Sequence, residues 1–274
     1  MIVAHDDPHS AGPHIEPDAV EPSDTPATAL LRGRRILVTG GARGLGAAVV
    51  RAFASHGAHG LILDLRAPDD ADLPWPPVAV DVTDERAMKS VVDDHVAQHG
   101  PFDGVVAAAG IVPSWQSPEQ MDLADFDRTM AVNVRGVVVT VKAVAATLPA
   151  GSTVVAIGSL NSWRGDPNIV SYVASKHAVL GIVRSTALAL GRRGVRVNAV
   201  APGPVATEAL LARIDGRAGT TGLDRDASLA RSADMTALGR LATEQDIADA
   251  VLFLSSPLSG AISGHLLPVD GGML

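Results

Sequence analysis

Short apolar runs that end at glycine or a small polar residue alternate with longer stretches in which apolar residues recur every third or fourth position. The runs fall at 35–39, 60–64, 78–80, 104–110, 154–157, 195–200 and 266–269. Each has the length and continuous apolarity of a strand buried on both faces. The stretches at 47–54, 83–99, 122–148, 172–191 and 243–253 carry a helical period. Thr83-Asp84-Glu85 and Thr243-Glu244-Gln245-Asp246 are start signals, and Pro149 and Gly191 are stops. Strands that alternate with helices pair in parallel through right-handed crossovers. The pattern therefore predicts an α/β fold, a single parallel sheet of about seven strands with helices on both faces.

Two regions break the rhythm. Residues 1–33 interleave Pro8, Pro13, Pro17, Pro22 and Pro26 with Asp6, Asp7, Glu16, Asp18, Glu21 and Asp24. Such a segment buries too little to offset its ordering entropy, so a flexible acidic arm is expected ahead of one folded domain at 34–274. Residues 208–238 carry mixed charge, Gly216, Gly219 and Gly222 and no strong period. A stretch this long reads as a loop that covers a binding site.

Composition narrows the partners. The 274 residues, 47% of them hydrophobic, suffice for one sizeable core. With no cysteine, the chain is neither a disulfide scaffold nor a thiolate-zinc protein. A net charge of −8 argues against nucleic acid as a general partner. No apolar run reaches the roughly 18 residues of a membrane helix. The first residues lack the basic-then-apolar order of a signal peptide. The expectation is a soluble cytoplasmic protein that engages neither membrane nor nucleic acid.

Candidate chemistry gathers at the carboxyl ends of the runs, where open α/β sheets bind ligands. The first run feeds into Gly40-Gly41-Ala42-Arg43-Gly44-Leu45-Gly46 and then into a helix. That arrangement lets the backbone approach a pyrophosphate, with free N–H groups and the positive helix end facing it. The second run ends in Asp64, about twenty residues on, where a carboxylate accepts from adenosine ribose hydroxyls and repels a 2′-phosphate. Asp64 thus favours NAD over NADP, against which stand the nearby Arg43 and Arg66. Ser159 follows the run at 154–157. Tyr172 and Lys176, four apart, share a helix face. A free tyrosine titrates near ~10, and an adjacent ammonium favours the phenolate, which suits proton exchange with an alcohol or ketone oxygen. Such a pair also arises by chance on many helices. Asn133, between Val132 and Val134 in a helical stretch where asparagine is a poor former, reads by itself as a core polar residue bonded to nearby backbone. His95 and His99 read as a solvated helix end, and no metal site is expected.

Taken in order, Thr39-Gly40-x-x-x-Gly44-x-Gly46, Asp64, Asp81-Val82, Ala108-Ala109-Gly110, Asn133-Val134-x-Gly136, Ser159 with Tyr172 and Lys176, and Pro202-Gly203 resemble the short-chain dehydrogenase/reductase superfamily over essentially all of 34–274. The resemblance implies a Rossmann-type doubly wound sheet, a nicotinamide cofactor and an Asn133-Ser159-Tyr172-Lys176 tetrad. By that likeness Tyr172 is the acid/base, Ser159 holds the substrate oxygen, Lys176 binds the nicotinamide ribose, and Asn133 steadies a water in the proton relay. It also implies cofactor contacts from Gly40, Arg43, Gly44, Leu45 and Gly46, from Asp81 and Val82 at the adenine, and from Ala109, Gly110, Pro202, Gly203, Val205 and Thr207.

The activity so implied is hydride transfer between NAD, favoured over NADP, and a secondary alcohol or ketone, in a homotetramer. One alternative is an NADPH-dependent ketoreductase of carrier-bound acyl chains, to which Arg43 points. Another is a dinucleotide-binding regulator without turnover. Ser114, Trp115, Gln116, Trp163, Asn168 and the 208–238 segment are expected to line the substrate pocket. One departure stands out: Ala107 occupies the place where many relatives have an asparagine that braces the central strands.

Overall fold

The computed structural model describes residues 29–67, 72–207, 210, 211, 214 and 224–273. Its centre is one sheet in the order β3-β2-β1-β4-β5-β6-β7. The strands are β1 Arg35–Thr39, β2 His59–Asp64, β3 Pro77–Ala79, β4 Gly104–Ala107, β5 Thr153–Ile157, β6 Arg196–Pro202 and β7 Leu266–Val269. Every neighbouring pair is parallel. The strand order reverses between β1 and β4, and beyond their carboxyl ends that reversal opens a crevice. The described helices are α1 Gly44–Ser55, α2 Glu85–His99, α3 Leu123–Met130, α4 Gly136–Val144, α5 Val170–Gly191, α6 Arg225–Asp234 and α7 Glu244–Ser255.

The strands read as unbroken apolar runs because both faces of the sheet are covered. Successive side chains point to opposite faces. Leu37, Val105, Val154 and Val197 meet Met88 and Val92 of α2, Val144 of α4 and Val179 and Val183 of α5. On the other side Ile36, Val38, Val106 and Val155 meet Val49 and Phe53 of α1 and Ile247 and Val251 of α7. Among the described residues no helix is long and apolar enough to cross a membrane.

Several expected boundaries move. The helix expected at 122–148 is three pieces: α3, a wide π turn at Ala131–Arg135, and α4, which ends at Val144. The π turn falls where the poor helix former Asn133 is buried. Residues expected in the arm at 1–33 belong in part to the domain, since Leu31 is fully buried and its N–H donates to His56 O at 3.1 Å; the rest of that arm, 1–28, lies outside the described residues. Within the expected covering loop at 208–238, residues 225–234 form α6, which Asp224 caps by accepting from Ala227 N at 2.7 Å. Residues 208, 209, 212, 213 and 215–223 of that loop lie outside the described residues. His95 does not end a solvated helix: it stacks on Phe102 at 4.9 Å, and burial lowers its pKa.

One buried hydroxyl beside Ala107 is left unpaired. Thr39 stands opposite Ala107 in the β1–β4 register, and its buried hydroxyl finds no partner among the described residues. A buried polar group left unpaired costs about 1–3 kcal/mol. Thr39→Val, which keeps the shape without the hydroxyl, is predicted to raise the melting temperature by roughly 2–4 °C. Calorimetry checks this, and a lower melting temperature would contradict it.

Candidate active site

The glycine turn after β1 is built by close approach. Gly40 sits at φ +67°, and a Cβ there would come within 2.6 Å of Ala109 Cα, which only glycine avoids. A Cβ at Gly46 would lie 2.0 Å from Gly40 O, so α1 is drawn tight against the turn. Arg43, the N-cap of α1, is extended and offers no capping side chain. By contrast α2, α3, α6 and α7 are capped by Asp84, Asp122, Asp224 and Thr243. The uncapped N–H groups of α1 and the open space beside Gly44 fit a pyrophosphate.

Asp64 is held across this turn: Oδ2 accepts from Ala42 N at 3.1 Å and Oδ1 from Arg66 N at 3.3 Å. Asp81 Oδ1 accepts from both Thr83 N and Thr83 Oγ1 at 2.8 Å. Val82 is buried, and a Cβ on Gly136 would come 2.8 Å from its Cγ2, so its side chain belongs to the core and only its main chain is left for an adenine. These residues are chemically suited to hold a dinucleotide along the carboxyl ends of β1, β2 and β4.

The reactive end lies where β5 and α5 meet. Lys176 is buried, its Nζ donates to Ile157 O at 2.8 Å, and the same Nζ lies 5.5 Å from the centre of the Tyr172 ring. Burial lowers its pKa from 10.5 to about 8, which still leaves an ammonium at neutral pH. Ser159 Oγ accepts from Asn161 N at 3.1 Å. Its own hydrogen has no acceptor among the described residues and can be donated into the cleft. Asn133 is a brace: Oδ1 accepts from Ile111 N and Nδ2 donates to Ile111 O, both at 2.8 Å, and Nδ2 also donates to Ser175 Oγ at 3.1 Å. Ser175 Oγ in turn donates to Tyr172 O at 2.7 Å. The loop after β4 is thus fastened to the Tyr172 turn of α5.

Ser159, Tyr172 and Lys176 line a single cleft of about 660 Å³, together with Leu45, Gly110, Pro202, Gly203, Val205 and Thr207. Ala108 rather than Ala109 faces it, and Asn133 stands behind it. Gly40, Arg43, Gly44, Gly46, Asp64, Asp81 and Val82 do not line this cleft. Of the expected pocket residues, Trp115 lines it, whereas Ser114, Gln116 and Asn168 border a separate small depression. Trp163 is 41% exposed and takes no part. The 208–238 segment contributes Leu210, Ile214, Ser228, Arg231, Ser232 and Met235. The sequence reading missed Ser175, Arg164 and Asp166. Ser175 carried a signal, since it shares a helical turn with Tyr172 and Lys176; Arg164 and Asp166 lie in an irregular stretch with none.

Comparison with known proteins places the chain in a family. A family model described as enoyl-(acyl carrier protein) reductase matches residues 40–274. Short-chain dehydrogenase reductase 5 of Arabidopsis thaliana is 37% identical, covering 88% of this chain and 95% of that protein. The mitochondrial (-)-isopiperitenol/(-)-carveol dehydrogenase of Mentha piperita is 35% identical over 89% of this chain and 94% of its own length. The solved carveol dehydrogenase of Mycobacterium avium, in complex with NAD, is 30% identical with a TM-score of 0.81, covering 89% of this chain and 99% of that one. The chain belongs to the short-chain dehydrogenase/reductase family.

The buried ammonium has a measurable cost. The folded-state pKa of Lys176 lies below its unfolded value, so the penalty is fully present below about pH 8 and is relieved as the pH rises toward 10.5. Lys176→Met is predicted to melt roughly 2–4 °C above the wild type at pH 7, with the gap narrowing above pH 8. Paired thermal scans across this range decide it; a variant that melts lower at pH 7 contradicts the assignment.

Proposed function

We propose that the protein is a nicotinamide-dependent oxidoreductase that interconverts an apolar secondary alcohol and its ketone. The observation that carries this reading is the convergence of Ser159, Tyr172 and Lys176 on one cleft, with Lys176 Nζ buried beside the phenol ring. When bound, the nicotinamide ring supplies the hydride acceptor for oxidation and the hydride donor for reduction. Tyr172 takes the carbinol proton in oxidation and returns it in reduction. Ser159 donates its O–H to the same oxygen. Lys176 keeps a positive charge next to the phenol, which favours its ionised form. Asn133, through Ile111 and Ser175, holds the floor and the Tyr172 turn in register.

Support for an apolar substrate comes from Ile111, Val112, Trp115, Leu160 and Ile169 around the reacting groups. It also comes from the names of two relatives, which are carveol dehydrogenases. The preference for NAD over NADP rests on Asp64, whose carboxylate is fixed where a 2′-phosphate would bring like charge. A homotetramer belongs to the same proposal, supported by the apolar surface of Leu188, 84% exposed, and Val138, 44% exposed. A second reading, an NADPH-dependent ketoreductase of carrier-bound acyl chains, draws support from exposed Arg43 beside the turn and from the description of the matching family model.

Two outcomes test the proposal. Tyr172→Phe is expected to lower kcat for a cyclic secondary alcohol by about 10²–10⁴-fold while NADH still binds; full activity in this variant would end the reading. Asp64→Ala is expected to shift the ratio of kcat/KM for NAD over NADP toward NADP by about tenfold or more, the equivalent of one lost like-charge contact. A wild type that prefers NADP, with no shift in the variant, favours the second reading.

A further inference from the structure

The segment after β7 runs as a strap between the helix above the cleft and the loop that carries Ser159. Beyond Val269 the chain turns through Gly271 and Gly272, at φ +70° and +74°. Gly272 O accepts from Ala237 N at 2.9 Å and Gly271 O from Leu238 N at 3.0 Å. Met273 pairs with Thr236 in an isolated antiparallel bridge. Met273 O then accepts from Arg164 Nη2 at 2.9 Å. Arg164 and Met235, at the two ends of this connection, both line the cleft.

The strap matters because packing among the described residues holds α6 only loosely. Among its described residues none is buried, and a polar helix without a buried face is not fixed by packing. Its last turn is instead knotted to the strap. Thr236 is buried, and its hydroxyl donates to Ala233 O at 2.8 Å and accepts from Arg240 N at 3.1 Å. Arg240 Nη1 donates to Asp246 Oδ2 at 2.8 Å, at the start of α7. The two glycines are required by close approach: a Cβ at Gly271 would come 2.8 Å from Arg240 O, and one at Gly272 would come 2.9 Å from Ala237 Cβ.

We propose that Arg164 and residues 271–273 form a strap that keeps α6 and Met235 over the alcohol end of the cleft, which makes Arg164 a positioning residue for the substrate and not for the dinucleotide. The proposal rests on the oxidoreductase reading. The turn at Gly40 to Gly46 and Asp64 lie at the carboxyl ends of β1 and β2, three and four strands from β6 and further from β7 in the sheet order, and none of the hydrogen bonds that make the strap reaches them.

The test uses the full chain with Arg164→Met, Arg164→Lys and Gly272→Ala. Amide hydrogen exchange over 225–238, NADH affinity by fluorescence, and KM and kcat for a cyclic secondary alcohol are measured on each. Arg164→Met is expected to speed exchange in α6 and raise KM about tenfold, the equivalent of about 1.4 kcal/mol, with the NADH Kd unchanged within about twofold. Gly272→Ala should reproduce both effects, and Arg164→Lys, which keeps a donor, should recover most of the wild-type KM. Wild-type exchange and KM in a folded Arg164→Met protein overturn the strap, as does an NADH Kd that worsens as much as KM. If Arg164→Met does not fold, Gly272→Ala decides by the same criteria. If the wild type oxidises no alcohol with either dinucleotide, the oxidoreductase reading fails, and exchange in the variants still judges the strap by itself.

Discussion

A protonated amine buried beside a phenol is the constraint around which this molecule is arranged. Lys176 reaches into the protein from α5 and gives one hydrogen bond to Ile157 O at the end of β5. Taking that charge out of water is costly, and one carbonyl does not recover the cost. In the proposed function that charge has a use at this place, beside the phenol. A side chain at Gly110 would crowd Asn133 Oδ1 at 3.3 Å and rest against Lys176 Nζ at 3.8 Å. The brace from Asn133 through Ser175 to the main chain of Tyr172 keeps ring and ammonium together on their shared turn. On the proposed function, stability is given up locally for a side chain that moves a proton near neutral pH.

The rest of the architecture serves to bring separate pieces of chain to that point. Parallel strands all end on the same side, so β1, β2, β4, β5 and β6 deliver the glycine turn, Asp64, Gly110, Ser159 and Pro202 to one rim. The apolar layers on both faces set the register that makes this delivery repeatable. The starts of α2, α3, α6 and α7 carry side-chain caps, whereas those of α1, at the glycine turn, and α5, which carries Tyr172 and Lys176, do not.

Much of this was legible in the residues. The strands could be read because burial on both faces demands unbroken apolar runs, and the glycine turn because its backbone comes too near Ala109 for any side chain. Ser159, Tyr172 and Lys176 could be read from strand end and helical spacing. What escaped the reading depends on tertiary contact. The π turn at Ala131–Arg135 is a local widening that a helical period does not register, and Asn133 declared itself only as a poor helix former. The end of the arm was misplaced because the pair Leu30-Leu31 is too short to read as an element until His56 and the core are beside it. Ser114, Gln116 and Asn168 were expected in the cleft because they lie near it in sequence, yet the chain turns them toward a separate depression. Arg164 carried no pattern at all, since the main chain of Met273, to which it donates, lies far along the chain.

Tyr172 is the chain's single tyrosine, so the ultraviolet difference band of tyrosinate reports on that one ring. The most direct measurement is a pH titration of this band in the wild type and in Lys176→Met, each with and without NAD. The account predicts that tyrosinate develops at lower pH in the wild type than in the variant, and at lower pH again when NAD is bound to the wild type. Superimposable titrations of the two proteins would contradict it, because the ammonium would then have no hold on the phenol.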